Sequence, residues 1–220
     1  MPEETSSING TIKGTVLDSI NQIHRIMPDS ILFGSIILYF LTQNYAYGIF
    51  SLFIFETVIM HKLIAWVFAK SMGESPLPDV KCRSGFKTTR HDFNRMFSKQ
   101  YPSYGMFSIT AIGIYLGLAT KEYSDTFDAM GPDWASRPSI AYGLIAITIV
   151  TFMLVRWSSC ETFGELCKAF ICAILVGVVF FHVNKKLFGK ESMNFLGVPS
   201  IVTKESRGDP IYVCAAEVPT

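Results

Sequence analysis

Long apolar stretches, almost free of charged residues, limit most strongly what this chain can fold into. The first is nearly continuous from Ile31 to Ala69, and others run over Gly105–Ala119, Ile140–Val155 and Ala169–Val183. Runs of this length and composition are typical of membrane-spanning helices. Of the 220 residues, 50% are hydrophobic, which is too apolar for an ordinary soluble domain. We therefore predict a polytopic integral membrane protein, an all-α transmembrane helical bundle of about four to five spans.

The first apolar stretch is too long for one ordinary span, because a helix rises only about 1.5 Å per residue. Its polar break is Thr42–Gly48, which contains tyrosines suited to a membrane interface. We predict two helices, over about 30–41 and 47–69, joined by a tight hairpin. The alternative is a single long bent helix.

An N-terminal amphipathic segment, residues 1–28, precedes the spans. Its apolar residues recur at intervals of three and four, which places them on one face of a helix: Ile12, Val16, Ile20, Ile23 and Met27. Pro28 is expected to end or kink this helix. The segment either lies in the membrane interface or packs against the protein's own loops.

A basic loop, residues 70–101, connects the first pair of predicted spans to the next. Its basic residues outnumber the acidic Glu74, Asp79 and Asp92, and they are Lys70, Lys81, Arg83, Lys87, Arg90, Arg95 and Lys99. Basic loops stay preferentially on the cytoplasmic side. An acidic loop, residues 120–138, is then predicted on the opposite side, as is the C-terminal tail.

The second half of the basic loop is predicted to form a short amphipathic helix. Thr89–Asp92 resembles a capping box, and apolar residues follow at helical spacing. Such a helix suits an anionic membrane surface or an acidic partner, whereas the alternative is a solvated loop. The predicted contact residues here are Arg90, Phe93, Arg95, Phe97 and Lys99. Nucleic-acid binding is not expected, because neither a stacking platform nor a recognised motif is present.

The C-terminal tail, residues 184–220, follows the transmembrane domain of residues 29–183. Ile201–Thr203 and Ile211–Cys214 favour strands, and Ser206–Pro210 between them favours a turn. We predict a short extramembrane β-hairpin-like tail. Its apolar residues predict docking to a partner, and the predicted contact residues are Phe195, Ile211, Tyr212 and Val213.

Residues for catalysis, cofactor binding or metal binding are not predicted anywhere in the chain. The cysteines lack the spacing of a zinc site, and no small-molecule substrate is evident. Glu56 is the exception to consider, because a carboxylate within a span is a functional candidate. It can instead be satisfied by Gln43, Asn44 or a neighbouring helix. A transporter is expected to show inverted repeats or a pair of broken helices, and neither is found in this sequence.

The next predicted span opens at Pro102 and runs to about Ala119, and it contains the pair Gly113 and Gly117, whose spacing permits close helix approach. At the mouth of this span, Tyr101-Pro102-Ser103-Tyr104-Gly105 resembles the Pro-Ser-Gly-His motif of membrane phosphatidic-acid phosphatases. Met106 stands near the place where that family has its histidine. Arg156 is not followed by the series of Ser-Arg, His and Asp residues that the family has. This resemblance implies the alternative function, a catalytically degenerate or divergent lipid-phosphate phosphatase-like membrane protein.

The order of parts resembles that of small multispanning virion membrane proteins of large icosahedral DNA viruses. The tail segments that carry this resemblance most specifically are Asn194–Pro199 and Gly208–Cys214. The resemblance implies a structural protein that is not an enzyme and needs no cofactor. It would be a minor capsid component in the host-derived virion inner membrane, linking that membrane to the capsid shell. The implied partners are the lipid bilayer and capsid proteins.

Overall fold

The computed structural model describes residues 3–72, 102–129, 132–159 and 161–195, and within these ranges every regular element is a helix. The predicted all-α class is therefore confirmed for this part of the chain. The long helices come first in the following list and the short ones after them: α1 Glu3–Thr42, α2 Tyr45–Met72, α3 Tyr104–Glu122, α6 Arg137–Ser159 and α7 Phe163–Phe188; α4 Ser124–Ala129, α5 Pro132–Ala135 and a 3-10 helix, Lys190–Met193.

Helices α2, α6 and α7 are long and apolar enough to cross a membrane, over Tyr45–Ser71, Arg137–Ser158 and Phe163–Phe188. Helix α1 contributes a shorter apolar stretch, Ile26–Thr42. These lengths and compositions are consistent with the predicted integral membrane protein. The count of four to five spans stays a prediction.

A tight turn joins α1 to α2, as the hairpin interpretation predicts. Gln43 adopts a φ of 54°, and its N–H donates to the carbonyl of Tyr39 at 2.9 Å. The side-chain oxygen of Asn44 accepts from the N–H of Ala46 at 3.0 Å, which caps the start of α2. The hydroxyls of Ser35 and Ser51 hydrogen bond at 2.8 Å between the helices. The alternative of one long bent helix is therefore wrong.

The N-terminal segment and the first predicted span form one continuous helix, so of the two expectations at Pro28, an end or a kink, the end is wrong. Pro28 lies inside α1 and is buried. A proline inside a helix removes one backbone hydrogen bond and its ring crowds the carbonyl four residues earlier, at a cost of about 3 kcal/mol. Helix α1 continues through Pro28 despite this local cost.

Helix α3 forms the centre of the bundle, and every residue from Tyr104 to Gly113 is buried. It runs against α7, where a Cβ added to Gly177 would lie 3.0 Å from the carbonyl oxygen of Ala111. It also runs against α6, where a Cβ added to Gly113 would lie 3.0 Å from Ile145. The missing side chains of Gly113 and Gly177 therefore allow close packing at these two places. A Cβ added to Gly117, the other glycine of the predicted pair, would meet only ordinary contacts at 3.9 Å or more.

The outer surface of the bundle is apolar. Large aliphatic and aromatic side chains on α2, α6 and α7 are more than half exposed, and they include Phe55, Ile59, Trp66, Leu144, Ile147, Leu154, Ile171, Leu175 and Val179. Polar residues such as Ser108, Thr110 and Asn184 are buried instead. Apolar side chains outside and polar ones inside are the arrangement expected where lipid surrounds the helices.

The bundle has two ends that differ in their connections. At the tail end, the α1–α2 turn meets the residues after α7, since the Asn44 amide donates to the carbonyl of Asn194 at 2.9 Å. At the loop end, α2 meets the start of α3, since His61 Nε2 lies 2.6 Å from the carbonyl oxygen of Pro102. The chain therefore leaves for residues 73–101 at one end and for residues 196–220 at the other.

The last helix is longer than predicted. Helix α7 continues beyond Val183 to Phe188, and the 3-10 helix follows directly after Gly189. The first residues of the predicted tail thus belong to the bundle. The predicted β-hairpin and the predicted amphipathic helix of the basic loop lie outside the described residues.

Candidate functional site

A polar contact between helices lies inside the bundle, at Glu56 of α2 and Asn184 of α7. The Asn184 amide donates to Glu56 Oε2 at 3.1 Å, and Asn184 is fully buried. A neighbouring helix therefore supplies the partner of Glu56, which is one of the alternatives considered from the sequence. Asn44, another candidate partner, hydrogen bonds to Asn194 instead.

Tyr115 of α3 completes this polar cluster. Its hydroxyl lies beside the Asn184 side chain and interacts with it. Neither that hydroxyl nor the Asn184 side-chain oxygen makes a hydrogen bond of regular geometry within the described part of the chain. An amide placed between a carboxylate and a phenol can couple α2, α3 and α7. It does not provide the nucleophile and acid that a hydrolase needs.

Aromatic rings surround Tyr115 and fill the space between α2, α3 and α7. Its ring stacks on Phe53 with centroids 4.0 Å apart, and Phe181 contacts it edge-on at 5.6 Å. Phe50 and Phe195 lie further out at 5.9 and 6.3 Å. Phe195 comes from beyond α7, so this cluster connects the membrane bundle to the start of the tail.

The residues Ser192–Phe195, which we name the tail anchor, are held firmly against the bundle. The carbonyl of Asn194 accepts from Asn44, and the carbonyl of Phe195 accepts from the Tyr47 hydroxyl at 2.7 Å. Met193 is 1% exposed. Backbone hydrogen bonds and a buried side chain therefore fix the point from which residues 196–220 continue.

Charged groups at the tail end reinforce this anchor. Glu122 at the end of α3 forms an ion pair with Lys185 at 2.6 Å, and Lys190 lies 3.9 Å from the same carboxylate. The Tyr123 hydroxyl donates to the carbonyl of Lys190 at 2.9 Å. Burial, assisted by nearby Glu191 and Glu122, raises the pKa of Tyr123 to about 12. The phenol therefore remains a hydrogen-bond donor at neutral pH.

Ser103, which belongs to the phosphatase-like sequence, has a structural use at the loop end. Its hydroxyl accepts from the N–H of Met106 at 3.3 Å and caps α3. His61 is buried against the rings of Tyr104 and Phe107, with centroids 5.1 and 5.2 Å away. Sequence reasoning missed this role of His61, because its partner in the chain is the distant carbonyl of Pro102.

Arg156 at the end of α6 forms a buried ion pair with Glu161, with 3% and 9% of their side chains exposed. The neighbouring Trp157 is 55% exposed, as expected for an aromatic residue at a membrane interface. The pair holds the short connection between α6 and α7. Within the described residues, no group of three or more His, Cys, Asp and Glu side chains is placed to hold a metal ion.

Of the predicted contact residues, the structure describes Phe195. This side chain is half-buried and packs on Phe50, with centroids 5.2 Å apart, and on Tyr47. Its binding to another protein stays a prediction. The other predicted contact residues lie outside the described part of the chain: Arg90, Phe93, Arg95, Phe97, Lys99, Ile211, Tyr212 and Val213.

Comparison with known proteins gives no relative from which a function can be transferred. The chain matches no family model, no curated protein and no solved structure.

Proposed function

We propose that this protein is a structural integral membrane protein of a virion. In this role it is a minor capsid component that links the inner membrane to the capsid shell. The tail, residues 196–220, docks on a capsid protein, and the basic loop contacts the opposite membrane surface through its amphipathic helix.

The observation that carries this proposal is the tail anchor. A tail that only needed to be soluble would gain nothing from a buried Met193 and from backbone hydrogen bonds to Asn44 and Tyr47. A tail that transmits a mechanical connection needs a fixed origin, because a fixed origin reduces the ordering entropy that docking costs. The anchor therefore supports a linking role.

We also propose that the chain crosses the membrane in five passes, through α1, α2, α3, α6 and α7. Ile26–Thr42 of α1 pairs with α2 as a hairpin, and α3 runs through the centre beside α7. A helix shielded by its neighbours needs less lipid-facing apolar surface than one on the perimeter. This argument supports counting α3 as a pass. The basic loop is then cytoplasmic and the tail lies on the other side.

The decisive experiment removes the tail and keeps its anchor. A chain that stops after Phe195 retains the contacts with Asn44 and Tyr47, so it should insert into membranes at the normal level. It should be absent from purified particles, where the full chain is present. The matched control replaces residues 196–220 with a glycine–serine segment of equal length, and it should also be absent from particles.

Two results would contradict the proposal. If the truncated chain were incorporated into particles at the normal level, we would infer that the basic loop, and not the tail, docks on the capsid. His91, in the basic loop, is the histidine nearest in sequence to the phosphatase-like residues. Release of phosphate from phosphatidic acid by the purified full chain, lost on His91→Ala, would instead support the lipid-phosphate phosphatase-like alternative.

A further inference from the structure

A lateral cavity of about 320 Å³ lies at the tail end, between α3, α6 and the tail anchor. This volume is at the lower end of the range of small-ligand sites, about 300–1,000 Å³. Its lining includes Leu116 of α3, Tyr123 directly after that helix, Ala141 and Leu144 of α6, and Phe195 of the tail anchor. The cavity is independent of the docking role proposed for the tail.

The walls of the cavity are apolar, and its α6 side continues onto the outer surface of the bundle. Leu144 lines the cavity and is 61% exposed, and the adjacent Ile140 is 59% exposed. These residues belong to a helix that is long and apolar enough to cross a membrane. An apolar cavity that opens on such a surface offers an acyl chain better surroundings than water.

The residues that line the cavity include one cation, Arg137. Arg137, the first residue of α6, lines it and is exposed, and its guanidinium lies 4.1 Å from the centre of the Trp134 ring. Stacking on a ring leaves the edge of the guanidinium, with its N–H groups, able to bind a phosphate. Tryptophan and arginine in this position are typical of the level of lipid headgroups.

We propose that this cavity binds one anionic phospholipid from the leaflet at the tail end. An acyl chain lies between α3 and α6, and the phosphate of the headgroup binds Arg137. Charge complementarity selects an anionic headgroup over a zwitterionic one, and the apolar walls exclude a free phosphate ion as the occupant. The lipid would fill the space between α6 and the tail anchor.

Native mass spectrometry of the purified full chain in detergent tests this proposal. The probes are phosphatidylglycerol and phosphatidylcholine with identical acyl chains, and the full chain should retain one phosphatidylglycerol in preference. Arg137→Gln should weaken phosphatidylglycerol binding by about tenfold or more, since a hydrogen bond to a charged group contributes about 1.5–3 kcal/mol. It should weaken phosphatidylcholine binding less, because the choline cation already neutralises the phosphate of that headgroup. Lys121→Gln, at the same end of the bundle but outside the cavity, is the matched control and should change neither.

A second pair of variants tests the acyl-chain site. Ala141→Phe fills the cavity and should weaken binding of both lipids, whereas Ala146→Phe, on the exposed surface of the same helix, should not. Both variants must elute from size exclusion as the unchanged protein does. Equal behaviour of the two phenylalanine variants, or equal effects of the two glutamine variants, would overturn the proposal.

Two further measurements separate other occupants. Glycerol phosphate at millimolar concentration should not displace the lipid, and displacement would mean that a soluble phosphate compound is the ligand. A chain that stops after Phe195 should bind the lipid as the full chain does. Binding that appeared only after this truncation would show that the protein's own tail fills the cavity, which would also overturn the proposal.

Discussion

Helices α3 and α6 are apolar neighbours that the bundle uses in opposite ways. Residues Tyr104–Gly113 of α3 are all buried, whereas most of α6 is exposed, including Ile140, Leu144 and Ile147. Yet α6 has the length and composition of a candidate membrane span, whereas α3 does not. Hydropathy alone therefore does not say which apolar helix is central in a membrane protein, because lipid and protein interior are similarly apolar.

The size of the side chains explains the difference better than their polarity. Small residues on α3 and α7 bring the backbones together, and a Cβ on Gly177 would lie 3.0 Å from a backbone oxygen of α3. Gly143 on α6 has open space where its Cβ would be. Close packing gives dispersion contacts that lipid chains do not match, and it holds α3 in the centre.

The largest expected effect comes from truncating the central tyrosine. Tyr115→Ala should lower the free energy of unfolding by about 3 kcal/mol, because it leaves a cavity among Phe50, Phe53 and Phe181. Tyr142→Ala, which removes a 40% exposed ring from α6, should cost less than about 1 kcal/mol. Unfolding in mixed detergent micelles measures both. Equal losses would mean that α3 is not the packing centre.

An intermediate effect is expected from adding side chains at glycine. Gly177→Leu should lower the free energy of unfolding by about 1–3 kcal/mol, because the neighbour at 3.0 Å is backbone and cannot rotate away. Gly143→Leu should be neutral or slightly stabilising, because the site is open and leucine favours helix more than glycine does. The same unfolding titration checks both variants. Tolerance of Gly177→Leu would contradict the close approach of α3 and α7.

The smallest expected effect concerns the polar contact between α2 and α7. Asn184→Leu should lower the free energy of unfolding by about 1–2 kcal/mol, because it leaves Glu56 without its partner. The double variant Glu56→Leu and Asn184→Leu should recover most of that loss, since both polar groups are then absent. On α6, Thr148 bonds to the carbonyl of Leu144 in its own helix, so Thr148→Val should have little effect. A double variant less stable than Asn184→Leu would show that Glu56 has another partner.

The sequence was sufficient for features that depend on local pattern. The all-helical class and the turn at Gln43–Asn44 follow from apolar run length and a polar break, and the structure confirms them over the described residues. Three apolar helices are consistent with the predicted membrane class. Of the two expectations at Pro28, an end of the helix was wrong, because proline lowers helix stability without forbidding a helix. The continuation of α7 to Phe188 was missed, because lysines at 185 and 186 read as the end of a span.

The candidate site was predicted less completely, because its contacts join distant parts of the chain. Glu56 was recognised from its charge within an apolar run, but its partner Asn184 stands 128 positions away. Asn44 and Asn194, which fix the tail anchor, are 150 positions apart. Neither Asn44 nor Asn194 stands in a local sequence pattern that indicates such a contact. The burial of His61 against Pro102 was missed for the same reason.

The sequence by itself indicated membrane-spanning helices and the turn between α1 and α2, because both follow from transfer of apolar residues to lipid and from local backbone preference. The tertiary structure alone decided that α3 is central, that the tail begins in an anchor, and that Asn184 reaches Glu56. The outward-facing surfaces of the helices are apolar, and lipid is as apolar as they are, so hydrophobicity does not set how the helices are arranged. Their arrangement depends on side-chain shape and on a few hydrogen bonds between distant residues. Those depend on three-dimensional fit, which no single stretch of sequence contains.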